Sequence, residues 1–280
     1  MDAKPILRLV IISDTHNDHR GIQHIPEGDV LIHCGDWTNF GKLQHTVDFN
    51  EWLGLLTHRV KIVVNGNHES NAFWKSRTKQ LLSNAVFLCQ ESYSISITGF
   101  PELELYGTQF SWPIHGQSNP LYNAISQEAS VLITHGPAAG LVDKGSGCEQ
   151  LRKKCEVLNQ NGKLCLVLSG HIHGGHGRVK GEGLLEGITF VNASICGASR
   201  KAVHLPTVVD LQFDESLMKW IVLPPSYCFP PSVYDEQETD ASNCEKRKSD
   251  DSFQEPDVTK CKGALDALVG DDQAPACAIM

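Results

Sequence analysis

No run in the 280 residues approaches the ~18–20 consecutive apolar positions that a membrane-spanning helix needs. A secretory signal is also missing: Met1–Pro5 is polar, and the apolar run Ile6–Ile12 has only a strand's length before a polar loop interrupts it. The ten cysteines contain no Cys-x-x-Cys pair, which argues against a structural zinc ribbon. Cys34, Cys89, Cys165 and Cys196 sit in or beside apolar runs, where a free thiol behaves as a small hydrophobe. Reduced cysteines in a soluble, cytoplasmic protein are the expectation.

Nor is there a basic stripe to mark a nucleic-acid groove. The formal net charge is −9, but it is unevenly placed. From Asp235 onward twelve acids face five bases, a net of −7, which leaves −2 for residues 1–234. The acidity belongs to the tail and says nothing about a substrate. That tail follows Pro224–Pro225 and Pro230–Pro231 and is rich in Asp, Glu, Ser and Lys. Its few apolar residues cannot offset the ordering entropy, so 235–280 reads as a disordered extension, with at most a short helix over Ala264–Val269. Residues 1–234 read as the catalytic domain.

Within that domain, apolar runs at Leu7–Ile12, Val30–His33, Val60–Val64, Val131–Thr134 and Leu164–Leu168 have the length and continuity of buried strands. Leu43–Leu56 and Glu149–Leu158 carry helical patterns between them, so the first half alternates strand and helix, an α/β arrangement. Tyr93–Ile97, Leu103–Tyr106, Thr189–Asn192, Val208–Phe213 and Lys219–Val222 add strands with few helices between them. Asp214–Glu215–Ser216 is placed to turn a hairpin between the last two.

Each strand of the first group runs into residues that bind hard or borderline metals. These are Asp14-Thr15-His16, Gly35-Asp36, Gly66-Asn67-His68-Glu69, His135-Gly136 and Gly170-His171-Ile172-His173. Ligands collect outside the carboxyl ends of strands in open α/β sheets, so the five segments are expected on one rim. An extended backbone would send both members of Asp14/His16 and of His171/His173 to the same side. Glycines beside Asp36, Asn67, His135 and His171 would let the backbone turn close to an ion. The donors are carboxylate, imidazole and amide oxygen without thiolate, which suits Zn, Fe or Mn.

In this order, D-x-H, G-D, G-N-H-[D/E], H-G and G-H-x-H resemble the calcineurin-like metallophosphoesterase superfamily over roughly residues 6–213. The resemblance implies a four-layer α/β/β/α sandwich and two divalent ions, with Mn, Fe, Zn and Mg the candidates. It implies that Asp14, His16 and His173 hold one ion and Asn67, His135 and His171 the other. Asp36 would bridge them and His68 would act on the leaving group. Phe49-Asn50-Glu51-Trp52-Leu53-Gly54, Leu105-Tyr106-Gly107, Thr134-His135-Gly136-Pro137 and Val191-Asn192-Ala193-Ser194 are similar to the metallophosphoesterase-domain-containing group, related to class III cyclic-nucleotide phosphodiesterases. Some members of that group lack the first histidine of G-H-x-H; here His171 is present, so a complete second site is expected.

Departures from other branches narrow the reading. Protein phosphatases of this superfamily carry phosphate-gripping arginines where this chain has Trp37-Thr38-Asn39-Phe40 and Asn65, and purple acid phosphatases place a tyrosine where Asn39 stands. The implied activity is hydrolysis of small phosphodiesters, cyclic nucleotides included, by a hydroxide between two ions ~3.5–4 Å apart, with His68 donating a proton to the leaving oxygen. The alternatives are a broad phosphomonoesterase and a non-catalytic scaffold on the same fold. His33 reads as a hydrogen-bonded core residue. His176 and His115 read first as solvated loop residues and second as groups that reach a substrate oxygen, and Asn192 equally as a support around the metals or as a structural cap. Cys277-Ala278-Ile279-Met280 fits a prenylation signal, which would give weak peripheral membrane association, although an acidic tail does not favour an anionic bilayer.

Overall fold

Among the described residues twelve strands fall into two six-stranded mixed sheets, and every apolar run noted above contributes a strand to one of them. The computed structural model describes residues 4–111, 119–197 and 199–225. His115, Ala264–Val269, Cys277 and the rest of the tail lie outside the described residues.

The first sheet is built on parallel strands β1 (Leu7–Ile12), β2 (Val30–His33), β3 (Val60–Val64) and β4 (Val86–Leu88). The second contains β5 (Glu91–Ile95), β6 (Leu103–Gly107), β7 (Val131–Ile133), β8 (Leu166–Ser169), β9 (Gly177–Lys180) and β10 (Thr189–Asn192), of which β6, β7, β8 and β10 are parallel. The chain then returns to the first sheet as β11 (Thr207–Asp214), antiparallel to β1, and β12 (Lys219–Val222), antiparallel to β11. The hairpin between them is closed at Asp214, whose carboxylate accepts from the N–H groups of Ser216 and Leu217.

Alternation along the strands separates the layers. Leu9, Ile11, Ile32 and Val64 face Leu105, Val131, Leu166 and Val191 across the inter-sheet core. Their neighbours Val10, Leu31 and Val63 pack outward against Phe49, Trp52 and Leu53 of helix α1 (Leu43–Leu55). On the far side Leu132, Val167 and Phe190 pack against residues of the short helix α4 (Pro120–Asn123) and of α5 (Glu149–Leu158). Two further single-turn helices, α2 (Asn67–Ser70) and α3 (Thr78–Leu81), lie between α1 and α4 in the chain. The layers run α/β/β/α, as expected. Strands buried on both faces need apolar residues at nearly every position, which is why they read as near-continuous runs, with Arg8 and Lys61 at partly exposed positions. β4 and β9 were not anticipated: one is three residues long, and the other, Gly-Arg-Val-Lys, is an edge strand with little to bury. Cys34, Cys148, Cys155, Cys165 and Cys196 are buried free thiols.

Candidate active site

The carboxyl ends of β1, β2 and β3 in one sheet and of β7, β8 and β10 in the other meet at a single rim. Ser13, just past β1, forms a parallel bridge with Ser194, just past β10, and Ile195 N–H donates to the Ser13 carbonyl at 2.8 Å. The sheets are therefore joined at the point where the donor residues emerge.

Three groups of side chains come within metal-binding reach of one another: Asp14 with His16 and His173, Asp36 with His135 and His171, and His16 with Asp36 and His68. Asn67 joins the second group, its Oδ1 lying 3.2 Å from His135 Nε2. His135 Nε2 is 3.4 Å from Asp36 Oδ2 and 3.9 Å from Asp14 Oδ1. Asp36 and His16 each belong to two of the three groups, and of the two only Asp36 has two oxygens to offer to neighbouring cations. Phe110 packs against both His135 and His171, with ring centroids 5.4 and 5.5 Å away, and forms an apolar wall on that side.

The backbone reaches this arrangement differently from the expected extended pairs. Asp14, His16, Asp36 and His171 all take left-handed φ values, from 43° to 66°, and His173 opens a short 3-10 turn. Such φ values are uncommon outside glycine and collect at functional sites, where the surrounding structure holds them in place. Two of the glycines serve close approach instead. A Cβ on Gly66 would stand 2.1 Å from Asp36 Oδ1, and one on Gly170 would stand 2.2 Å from Asp14 Oδ2.

Hydrogen bonds to the far ring nitrogens assign the histidine roles. His135 Nδ1 lies 2.7 Å from the Cys34 carbonyl and His173 Nδ1 3.1 Å from the Gly197 carbonyl. A carbonyl only accepts, so each Nδ1 carries the proton and each Nε2 can offer a lone pair to a cation. His68 is the reverse. Its Nδ1 accepts the Phe40 N–H at 2.7 Å, so in the neutral ring the proton sits on Nε2, which lies 3.9 Å from Asp36 Oδ2. That tautomer cannot ligate through Nε2 but can donate from it.

The electrostatics fit a cation. Asp14 and Asp36 are buried carboxylates, and no Lys or Arg forms an ion pair with either among the described residues. Burial would raise the Asp14 carboxyl, but His135 and His173 hold it below the usual carboxylate range. Burial would lower His135, yet Asp36 and Asp14 push it up to about 9. In the metal-free chain a proton on His135 thus supplies part of the positive charge the carboxylates require. His16 and His171, lowered to about 4 chiefly by burial, are neutral and able to coordinate. His16 Nε2 and His173 Nε2 approach to 3.0 Å, a contact that needs a shared proton or cation to be favourable. The donor set therefore fits divalent metal ions.

Two supports had no role assigned from sequence. Glu69 is fully buried, and its carboxylate accepts from Asp36 N, Gly66 N, Thr38 N and Thr38 Oγ1 at 2.6–3.0 Å, clamping the loop after β2 to the loop after β3. Burial and the neighbouring Asp36 push this carboxyl up to about 7. Ser194 Oγ lies 2.8 Å from Asp14 Oδ2. Asn192 acts as a loop support: its Nδ2 donates to the carbonyls of Val142, Gly170 and Ile172. His33 is the expected core histidine, between Gly35 N and Thr15 Oγ1. His176 is half-buried, stacked on His204 and held by the Ser194 carbonyl, rather than a fully solvated loop residue.

Both Glu69 oxygens accept two donors, so Glu69→Gln must set an NH₂ against backbone N–H groups. We expect a loss of about 2–4 kcal/mol in unfolding free energy, from donors left unsatisfied in a buried site. Urea denaturation of the variant measures it, and a loss within experimental error would show that the clamp contributes little.

A cluster of carboxylates and imidazoles at the carboxyl ends of parallel strands, shared between two packed sheets, defines a metal-dependent hydrolase of the α/β/β/α class. The chain belongs to the calcineurin-like phosphoesterase family, whose pattern matches residues 7–175. It is similar to metallophosphoesterase domain-containing protein 1 of Homo sapiens, 34% identical over 238 residues that cover 73% of this chain and 71% of the relative. A UPF0046 protein of Caenorhabditis elegans is 32% identical over 235 residues, covering 73% and 81% respectively. Among solved structures, GAP50, the anchor in the inner membrane complex of Plasmodium, shares the fold with a TM-score of 0.51 at 11% identity, over 75% of this chain and 82% of that one.

Proposed function

We propose that this chain is a dinuclear metal-dependent phosphoesterase that favours small phosphodiesters, cyclic nucleotides included. The observation that supports it most is the convergence of two donor groups, Asp14 with His16 and His173 and Asp36 with His135 and His171, beside a histidine, His68, held in the proton-donating tautomer 3.9 Å from Asp36. Asp14, His16 and His173 would hold one ion, and Asn67, His135 and His171 the other, with Asp36 common to both. When bound, such ions supply Lewis acidity and lower the pKa of water towards neutrality.

The chain's own residues supply position and protons. Cys34 and Gly197 carbonyls orient His135 and His173, and Glu69 and Ser194 fix the Asp36 and Asp14 loops. His68 Nε2–H, on the rim of the cluster, is placed to protonate the departing oxygen. Phe110 gives His135 and His171 an apolar neighbour. The preference for diesters rests on charge: the G-D and G-N-H motifs contain no guanidinium to neutralise the second charge of a monoester dianion.

Turnover of bis(4-nitrophenyl) phosphate, 4-nitrophenyl phosphate and cyclic AMP with Mn²⁺, Fe²⁺, Zn²⁺ and Mg²⁺ tests this. The diester should be hydrolysed faster than the monoester. The opposite order favours a phosphomonoesterase, and no turnover with any metal favours a scaffold.

A further inference from the structure

We propose that Arg200, carried on Phe40 and Asn39, binds an anionic group on the leaving-group side of the substrate and selects phosphoesters whose leaving group bears a second phosphate or carboxylate. The proposal rests on the phosphoesterase reading of the metal-binding cluster and extends it to a substrate class.

Arg200 belongs to the segment following β10, whereas Asn39 and Phe40 follow β2, and the fold brings them together beside the cluster. Arg200 Nη1 donates to Asn39 Oδ1 at 2.9 Å, and its guanidinium carbon lies 4.6 Å from the Phe40 ring centroid. Phe40 in turn stacks on His68 at 5.1 Å with an interplanar angle of 15°, and its N–H is the one bound to His68 Nδ1. Arg200, Phe40, His68 and Asp36 therefore form a continuous chain of contacts leading outward from the cluster. His68 faces the departing oxygen in the proposed chemistry, so a charge one ring further out faces what that oxygen is attached to.

Three features mark Arg200 as built for a ligand. Its charge has no carboxylate within ion-pair distance among the described residues, whereas the adjacent Lys201 lies 3.7 Å from Asp18. A guanidinium has five N–H donors in a planar fork, and stacking on an aromatic ring holds that fork ready for bidentate recognition of phosphate or carboxylate. Phe40 and Arg200 both take a φ of 57°, a left-handed conformation rare for bulky residues that persists where surrounding contacts enforce it. Phe40 is also 68% exposed although it touches the site, which places the assembly at the mouth rather than in the core.

Thymidylyl-thymidine and its forms with a terminal 5′- or 3′-phosphate present one scissile diester with and without the extra anion. For the form whose added phosphate lies on the leaving nucleoside, wild-type kcat/KM should rise on the order of tenfold or more, mainly through KM, as a charge-assisted contact implies. R200A and R200Q should bring that ratio to about one, and R200K should retain part of it. Metal content and Tm of each variant establish that the fold and cluster persist. A ratio unchanged in R200A, or an equal loss on all three substrates, overturns the proposal. If the wild-type protein cleaves none of the dinucleotides, bis(4-nitrophenyl) phosphate still tests the diesterase reading, and a separate measurement decides Arg200. Methylenediphosphonate titrated into the metal-loaded protein should bind more tightly than methylphosphonate in wild type and not in R200A; equal binding in wild type overturns the role.

Discussion

Dialysis against a chelator should bring phosphoester hydrolysis to background, and Mn²⁺ or a similar ion should restore it. The expectation follows from how completely the cluster depends on a cation. Asp14 and Asp36 are buried, their nearest positive charge in the metal-free chain is a protonated histidine, and the His16 and His173 nitrogens face each other at 3.0 Å. The same dependence should appear without any substrate. An ion that binds only the folded chain adds about 2.7 kcal/mol at a concentration 100 times its Kd, so Tm should fall on chelation and recover on reloading. Full turnover by protein shown to be metal-free would sink the two-metal reading.

Neighbouring substitutions at Asn67 and His68 should fail in different ways. Asn67→Ala removes an amide oxygen 3.2 Å from His135 Nε2, so metal occupancy should drop and excess metal should restore part of the activity. His68→Ala leaves all the proposed ligands in place. Metal content should stay near wild type while kcat falls by roughly 10²–10⁴-fold, the usual contribution of a positioned proton donor. That defect should shrink for nitrophenolate leaving groups, which need little protonation, and be largest for alkoxides such as the one released from a cyclic nucleotide. The Phe40 N–H contact provides a further check, because the tautomer it imposes can be read from the ¹⁵N shifts of the His68 ring. Loss of metal in His68→Ala, or a defect constant across leaving groups, would show that His68 is a ligand or a structural residue instead.

The layers and the donor residues could be read from sequence because both depend on local rules. A strand covered on both faces must be largely apolar, and β1, β2 and β3 are, apart from Arg8, His33 and Lys61; a donor at the end of such a strand has few places to go. The manner of convergence could not be read. Asp14 and His16 meet His173 through left-handed backbone enforced by hydrogen bonds from other loops, such as Asp14 N–H to the Gly35 carbonyl and His16 N–H to the Asp36 carbonyl. No periodicity encodes that. Glu69 stood inside a quoted motif, yet its work, clamping two loops 33 residues apart, appears only once those loops are folded together. Arg200 and Phe40 carry no motif at all, and 161 residues separate Arg200 from its partner Asn39. The one available signal was negative: the first-half motifs lack an arginine, which leaves any guanidinium contribution to come from elsewhere in the chain.

The bridge between Ser13 and Ser194 has a consequence for how the protein matures. On the ribosome, Asp14, His16, Asp36 and Asn67 emerge well before His135, His171 and His173, and Asn192 and Ser194 come later still. Contacts of such long sequence separation close late in folding, after the entropy of a large loop has been overcome. A nascent chain with only its first strands made therefore exposes an incomplete and weak set of donors. Capture of the full complement of ions has to await the docking of the second sheet and the return of β11 beside β1. On the two-metal reading, ions should bind in full only once residues as far along the chain as Ser194 and β11 have joined the fold, so a copy truncated before them should bind metal weakly.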